Sequence, residues 1–405
     1  MIIAGGTYRE HVDSSGHSED LAGSGFRAAM LLAGGDIEFV SAIDESTYAS
    51  FDGAVEVLGI TSRTVGRDRP VGFHYRAPFL EPALRGGSAR LSSPLEVLGD
   101  QALVFGMVER GQRRMDVSSL VYDPQSVEDV LFTSESRPWA RNTRLVLCAN
   151  VAEVRAISGL DDVEAAARSA AKELEAEVVI TKAGGRGCLV TDRVNERQTW
   201  VGCYPTAIVS KVGSGDVFSG ALAHAWHRGA NAIDAARFAS ATTAWWCGGN
   251  GVKLSGQALA GELPETGASE LRNAGAVPRV YLAGPFFTTE QRWLIDQCKL
   301  FLESAGATVF SPVHEIGLGG PEVAEADLAG LGASDSVFAI LDGWDPGTLF
   351  ETGWATARGI PVVTAGGISH AEGATMLVGT GAEQHADFTT AMYRAIWKGL
   401  SARGY

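Results

Sequence analysis

The sequence predicts an α/β protein of two domains in tandem, each built on a largely parallel sheet. Three observations carry that expectation. Short apolar runs alternate with stretches of helical periodicity over most of the chain. The strand signal stops between Val252 and Pro278 and a second α/β series starts at Val280. The chain has 405 residues, enough for two or three domains at about 100–200 residues each. In the first series, residues 55–60, 102–108, 145–148 and 178–181 read as buried strands, and residues 63–75, more alternating and polar, as a small exposed sheet or flap. Gly256, Gly261, Pro264, Gly267, Gly275 and Pro278 punctuate the gap, which reads as a linker with one short helix. In the second series, residues 280–283, 308–310, 337–341 and 360–364 are strand-like. Leu294, Cys298, Phe301 and Leu302 fall on one helical face that Gly306 is placed to end. The expected domains are 1–255 and 279–405, with 256–278 between them.

Composition narrows the class. Forty-five percent hydrophobic and 20% charged residues are ordinary for a globular chain. Lys and Arg total 33 against 48 Asp and Glu, a net charge of −15, and no basic cluster interrupts it, so nucleic acid is not an expected partner. No apolar run approaches the ~20 residues of a membrane span. The N-terminal MIIAGGTYRE lacks the basic and long apolar segments of a signal peptide. The five cysteines are scattered and never in a C-x-x-C pair, against a disulfide framework or a structural zinc site. The expectation is a reduced, cytoplasmic protein without a membrane partner.

Residues 211–222 read KVGSGDVFSGAL. Gly213, Ser214 and Gly215 feed a helix-compatible run, and such a turn aims several backbone N–H groups at one point, suiting a phosphate or a developing negative charge. Asp216 at that point is placed to take a proton from an attacking hydroxyl, although an N-capping Asp would leave the same pattern. Its company includes the strand and glycine turn through Lys182 and Gly184, Asn150-Val151-Ala152-Glu153 after a strand, Asp123-Pro124 ending another, and Gly23-Ser24-Gly25 before a helical run. In this order, over roughly residues 1–255, these features resemble the PfkB (ribokinase-like) sugar and nucleoside kinases.

The resemblance implies a three-layer α/β/α domain using ATP and Mg²⁺. It puts the catalytic base on Asp216, the anion hole on Gly213, Ser214 and Gly215, and the Mg²⁺ water network on Asn150 and Glu153, with no direct protein ligand to the metal. Lys182 and Gly184 are implied near the nucleotide. The helix containing Ala236, Ala239 and Ala241 would border the adenine. Departures fall at the acceptor. Ser210-Lys211 stands where the family has Asp-Thr, Arg27 replaces its substrate-facing asparagine, and Glu10 stands where an Asp usually holds sugar hydroxyls. Arg27 is either a contact for an anionic acceptor or a salt-bridged structural residue. The domain is accordingly either an active phosphotransferase or a pseudokinase scaffold or nucleotide sensor.

Residues 335–353 read DSVFAILDGWDPGTLFETG. A buried strand ends at Asp342, a turn carries Asp345 and Gly347, and Glu351 stands where a helix begins. Ligands of open α/β sheets sit beyond the carboxyl ends of strands, so paired carboxylates here can attack a carbon and assist a leaving group. Turn-capping aspartates and a solvated Glu near a helix start give the same pattern. Tyr281-Leu282-Ala283-Gly284-Pro285-Phe286-Phe287, Ser311-Pro312, Asp327 before Asp335, and Gly-Thr-Leu-Phe-Glu-Thr-Gly followed by Gly359-Ile360-Pro361 resemble the nucleoside 2-deoxyribosyltransferases over about residues 279–370.

That resemblance implies a flavodoxin-like, doubly wound parallel sheet. Glu351 matches the nucleophile, Asp345 and Asp327 the carboxylates engaging the base and its leaving nitrogen, and Tyr281 the tyrosine that orients the nucleophile. The superfamily includes hydrolases of nucleoside 5′-monophosphates as well as transferases. The apolar loop from Gly284 to Phe287 stands nearer the nucleoside-using branch. Phe286 and Phe287 either stack on a base or serve as ordinary core aromatics, and His314 either touches substrate or is solvated. Related transferases complete each site with a neighbouring subunit's C-terminus, so a homo-oligomer is expected, with Tyr405 as the terminal aromatic.

Overall fold

A computed structural model of the chain describes residues 1–13, 19–127, 137–140, 142–317, 319, 321–366 and 375–402. It divides into two compact units. The first is Met1–Lys182, Cys188–Thr206 and Lys211–Gly267; the second is Ala268–Tyr405 with the short segments Ala183–Gly187 and Ala207–Ser210.

The first unit is organised by a nine-stranded sheet. Its order is Arg197–Val201, Cys188–Asp192, Val178–Lys182, Arg144–Asn150, Arg113–Asp123, Leu95–Phe105, Ile2–Ala4, Glu38–Ile43 and Thr61–Gly66. From Val178–Lys182 onward all pairings are parallel, and the two remaining edge strands add antiparallel. Strand alternation sorts side chains onto two faces. Ile3, Leu103, Val121, Val146 and Ile180 pack with the helices Ser24–Leu31, Ser214–His227 and Ala232–Cys247. Ala4, Val104, Tyr122, Leu147 and Val179 pack instead with Val151–Ser158 and Val163–Glu173. The result is a three-layer α/β/α sandwich. Burial on both faces is why its strands read as continuous apolar runs.

Two strand expectations are corrected. Residues 55–60 are not a strand; they close the helix Glu45–Leu58, whose buried residues Thr47, Phe51 and Val55 recur every four positions. Gly59, left-handed at φ 65, ends that helix, and the short V-E-V-L run mimicked a strand because so few residues cannot separate the two periods. Residues 63–75 are not one flap. Thr61–Gly66 is the edge of the large sheet, while Gly72–Tyr75 joins a second sheet in the order Glu19–Ala22, Tyr8–Val12, Gly72–Tyr75, Ala83–Arg85. Between residues 252 and 278 the structure has no strand, and Ser255 caps a four-residue helix, Gly256–Leu259.

The second unit is a five-stranded, wholly parallel sheet ordered Thr308–Phe310, Arg279–Ala283, Ser336–Ile340, Val362–Ala365, Glu383–His385. Numbered within the unit this is 2-1-3-4-5, the flavodoxin-like doubly wound order, with its switch point beside Arg279–Ala283. One face packs Tyr281, Ala283, Val337 and Ala339 against Leu331 of Ala324–Gly332 and Ala355 of Pro346–Ala357. The other carries Thr289–Ser304 and Phe388–Ala402, joined to each other by the Phe301–Tyr393 ring contact, with Phe388 set against Phe338 of the sheet. Thr289–Ser304 buries Ile295, Cys298, Phe301 and Leu302, with Leu294 only half-buried, and Gly306 at φ 103 follows its cap. Tyr405 lies outside the described residues. No helix among the described residues is long and apolar enough to cross a membrane.

Candidate functional site

In the first unit, the helix Ser214–His227 opens on Gly213, left-handed at φ 88, where a Cβ would overlap the Arg27 guanidinium. Only glycine admits both that backbone and that approach. First-turn N–H groups have no partner within a helix; Ser214 N already donates to the Lys211 carbonyl at 2.9 Å, so the cradle suited to an anion is lined by the Gly213 and Gly215 backbone. Asp216 is the third helical residue rather than the cap, and it is buried. Its Oδ2 accepts from Arg27 Nη1 at 2.6 Å, while Arg27 Nη2 donates to Glu10 Oε2 at 2.7 Å. Glu10 Oε1 takes the N–H of Gly23 at 3.0 Å, and Gln125 reaches Asp216 Oδ1 at 3.4 Å. Glu10, Arg27 and Asp216 are therefore one buried ionic chain. Burial pushes Asp216 up to about 6 against the opposing pull of Arg27. Burial and the Glu10 charge also raise the Tyr75 phenol, so it faces this chain as a neutral group.

A second cluster adjoins the first. Asp123 Oδ2, at the end of its strand, accepts from Lys182 Nζ at 2.6 Å and Ser219 Oγ at 2.5 Å. Asp123 is fully buried and its Oδ1 has no hydrogen-bond partner among the described residues. An unpaired buried carboxylate oxygen is costly and suits a cation. Burial works against the Lys182 ammonium, but Asp123, Cys148 and Glu153 outweigh it and its pKa rises, so the lysine stays charged. The cradle, the charged lysine and the orphaned oxygen together fit a phosphate group carrying a divalent cation.

Asn150 and Glu153 form a capping box on Val151–Ser158, with Asn150 N donating to Glu153 at 2.7 Å and Glu153 N donating to Asn150 at 2.9 Å. Gly184, at φ 58, opens the turn Gly184–Arg186 in a segment that clusters with the second unit, and a Cβ there would meet the Ala305 backbone at 2.7 Å. Packing alone accounts for that glycine. Sequence reasoning did not single out Ser219, Gln125 or Tyr75, and treated Asp123 only as a strand end. The position of Asp123 at the carboxyl edge of a parallel strand was the available signal.

In the second unit, Tyr281 is fully buried on the strand at the switch point, its ring stacked on Phe310 with centroids 5.6 Å apart. Its hydroxyl donates to Glu351 Oε1 at 2.6 Å. Glu351 lies within the helix Pro346–Ala357 rather than at its start. Burial, with the charges of Asp327 and Asp345, pushes it up to about 7, against the Tyr281 hydrogen bond. Asp327 is itself raised by burial, and its buried Oδ1 has no hydrogen-bond partner among the described residues. The structure thus puts Tyr281 in hydrogen-bond contact with Glu351, and Asp327 and Asp345 near enough for their charges to act on that carboxylate. Asp345 also caps its helix, accepting from Thr348 N at 2.7 Å and Thr348 Oγ1 at 2.8 Å. Asp345→Ala should therefore cost about 1 kcal/mol of unfolding free energy by cap loss; chemical denaturation checks this, and Asp345→Asn, which can still cap, should recover most of it.

The loop after Tyr281 is firmly held. Gln291 accepts from Phe287 N at 3.0 Å and Thr288 N at 3.1 Å, and Gly284 packs where a Cβ would meet Ile295 at 2.9 Å. Phe286 is half-buried and tilted against Phe287, which is exposed. His314 sits between Ser311 Oγ and Asp296 Oδ1, each at 3.0 Å.

Among solved structures the chain is similar to fructokinase from Vibrio cholerae in a fructose, ADP and calcium ion bound form. That structure is 14% identical, with 65% of this chain and 98% of that one covered and a TM-score of 0.49. It is also similar to ribokinase from Thermotoga maritima (18% identical, 66% and 96% covered, TM-score 0.43) and a PfkB protein from a Polaromonas species (17%, 64% and 99%, TM-score 0.44). No curated protein matches the chain. Residues 121–257 match the family model of pfkB family carbohydrate kinases, and residues 280–375 that of nucleoside 2-deoxyribosyltransferases. One chain thus carries a PfkB carbohydrate kinase domain and a nucleoside 2-deoxyribosyltransferase domain, both from families of enzymes.

Proposed function

We propose that this is a bifunctional enzyme of nucleoside metabolism. Residues 279–405 cleave or exchange the N-glycosidic bond of a (deoxy)nucleoside, and residues 1–255 transfer a phosphoryl group from ATP to a sugar or nucleoside. The observation that carries the first activity is the buried Tyr281 hydroxyl bonded to Glu351 at the switch point of the sheet. Ionised Glu351 attacks the anomeric carbon, and the base departs with the electrons of the C–N bond. Asp327, held toward its protonated form by burial, supplies a proton to the leaving nitrogen. Water or a second base then displaces Glu351 from the sugar. Tyr281 fixes the carboxylate in line throughout.

Rate should follow the ionisation of Glu351. Its pKa of about 7 lies above the ordinary 4.5, so the proton is held more tightly in the folded state. That group's contribution to stability is complete below pH 4.5 and is lost as pH rises through about 7, while the nucleophilic fraction grows over the same window. The profile of kcat/KM for base release should rise on its acid limb as Glu351 ionises through about 7 and fall on the alkaline side as Asp327 loses the proton it delivers. Tyr281→Phe removes a bond that favours the anion, so the acid limb should move to higher pH. A limb unchanged by Tyr281→Phe would detach the tyrosine from the nucleophile.

For the first unit, Asp216 at about 6 suits a base working near neutrality, and the adjoining cradle and Lys182 support a phosphate donor. Mg²⁺ bound with ATP would offset phosphate charge beside Asp123 and, through water, Glu153. The Arg27–Asp216 ion pair favours a second reading. If Arg27 stays on Asp216, no acceptor hydroxyl reaches the base, and the unit binds nucleotide as a sensor or scaffold without turnover.

A further inference from the structure

The small sheet of the first unit presents two chemically different faces. Its strands Tyr8–Val12 and Gly72–Tyr75 run parallel, with Glu10 opposite Phe73 and His11 opposite His74. Alternation therefore sends Glu10 and Tyr75, which belong to the Arg27–Asp216 neighbourhood, to one side, and His11 and His74 to the other. Asp13, two residues beyond His11, returns to the histidine side. The imidazole centroids are 5.1 Å apart. Both Nε2 atoms converge on the same carboxylate oxygen: His74 Nε2 lies 2.6 Å and His11 Nε2 3.1 Å from Asp13 Oδ1. These ligand atoms all lie within 4.8 Å of one another.

We propose that His11, Asp13 and His74 bind a divalent cation of the zinc class. Two imidazole nitrogens and one carboxylate oxygen are the donor set of three-ligand zinc sites that leave a fourth position open. At zinc–ligand distances of about 2.0–2.1 Å, a tetrahedral site needs ligand atoms about 3.3 Å apart, so the observed separations require only side-chain adjustment. Both histidines are largely shielded, while the Asp13 side chain is half-exposed, which leaves an entry path. Binding needs no net proton loss from neutral rings. Each imidazole moves its hydrogen from Nε2, where it now faces Asp13, to Nδ1, and the freed lone pair takes the metal. The cation would tie Tyr8–Val12 to Gly72–Tyr75 directly behind Glu10, so its occupancy would stiffen the strand that holds Arg27 in place.

The test is equilibrium dialysis of the full chain, stripped with chelator, against buffered Zn²⁺, with metal counted by mass spectrometry. One equivalent should remain on the unaltered protein. His74→Ala and His11→Ala should each weaken it by more than the about 10–100-fold that losing an outer-shell partner costs. His385→Ala, a histidine in the second unit, should keep the full equivalent. Co²⁺ should give visible ligand-field bands that vanish in His74→Ala. Zn²⁺ should also slow hydrogen exchange over residues 8–12 and 72–75. Should the alanine variants fail to fold, Asp13→Asn at the half-exposed position carries the test. No retained metal on the unaltered chain, or equal retention in Asp13→Asn, His11→Ala and His74→Ala, overturns the assignment.

Discussion

Replacing Glu351 with Gln should reduce base release or exchange by on the order of 10⁴-fold, the scale on which losing a nucleophile acts. The amide matches the carboxylate in size and still accepts from Tyr281, so the 2.6 Å contact and the stack on Phe310 survive. What disappears is the charge that attacks the anomeric carbon. Because burial already raises Glu351, a neutral side chain there costs the fold nothing and should modestly stabilise it at pH 8. Substrate affinity and any ATP turnover in the first unit should persist. The measurement is single-turnover base release alongside nucleoside binding, and a near-normal rate in Glu351→Gln would remove the covalent mechanism.

The second large effect is expected at Asp216. If the first unit transfers phosphoryl groups, Asp216→Asn should lower turnover by about 10²–10⁴-fold, the range of a lost general base. ATP binding should hold, because the cradle at Gly213 to Gly215 is backbone and Lys182 keeps its bond to Asp123. The substitution also leaves Arg27 with Glu10 as its ionic partner, and unpairing a buried charge costs up to about 3–5 kcal/mol. Thermal unfolding should therefore accompany the assay, so that a lost rate is compared at equal folded fraction. Turnover equal to that of the unaltered chain would release Asp216 from the role. An unaltered protein that binds ATP yet phosphorylates no sugar or nucleoside would favour the sensor or scaffold reading, in which Arg27 stays on Asp216.

Much of the second unit was legible in the sequence because its signals are local. Residues 308–310 form the strand they suggested, and Gly306 follows the helix it was expected to end. Asp345, the helix cap, stands two residues before the Gly-Thr-Leu-Phe-Glu-Thr-Gly run that carries Glu351, so both lie in one short stretch of sequence. The first unit was harder for a physical reason. Arg27 and Asp216 are 189 residues apart, and Lys182 and Asp123 are 59 apart. No periodicity encodes such pairings; they exist only once the parallel strands align. The same holds for His11 and His74, which meet through strand register. Arg27 was visible as a departure from a family pattern, but not its simultaneous hold on Glu10 and the candidate base. The misread residues 55–60 are the opposite failure, a local pattern too short to distinguish strand from helix end.

The most direct test of the central claim is to incubate the protein with a panel of ribo- and deoxyribonucleosides and their 5′-monophosphates, with and without a second free base, and to resolve bases, sugars and new nucleosides by mass. The account predicts free base or an exchanged nucleoside from at least one member, abolished in Glu351→Gln. A panel from which no base is released, or release that survives Glu351→Gln undiminished, would contradict it.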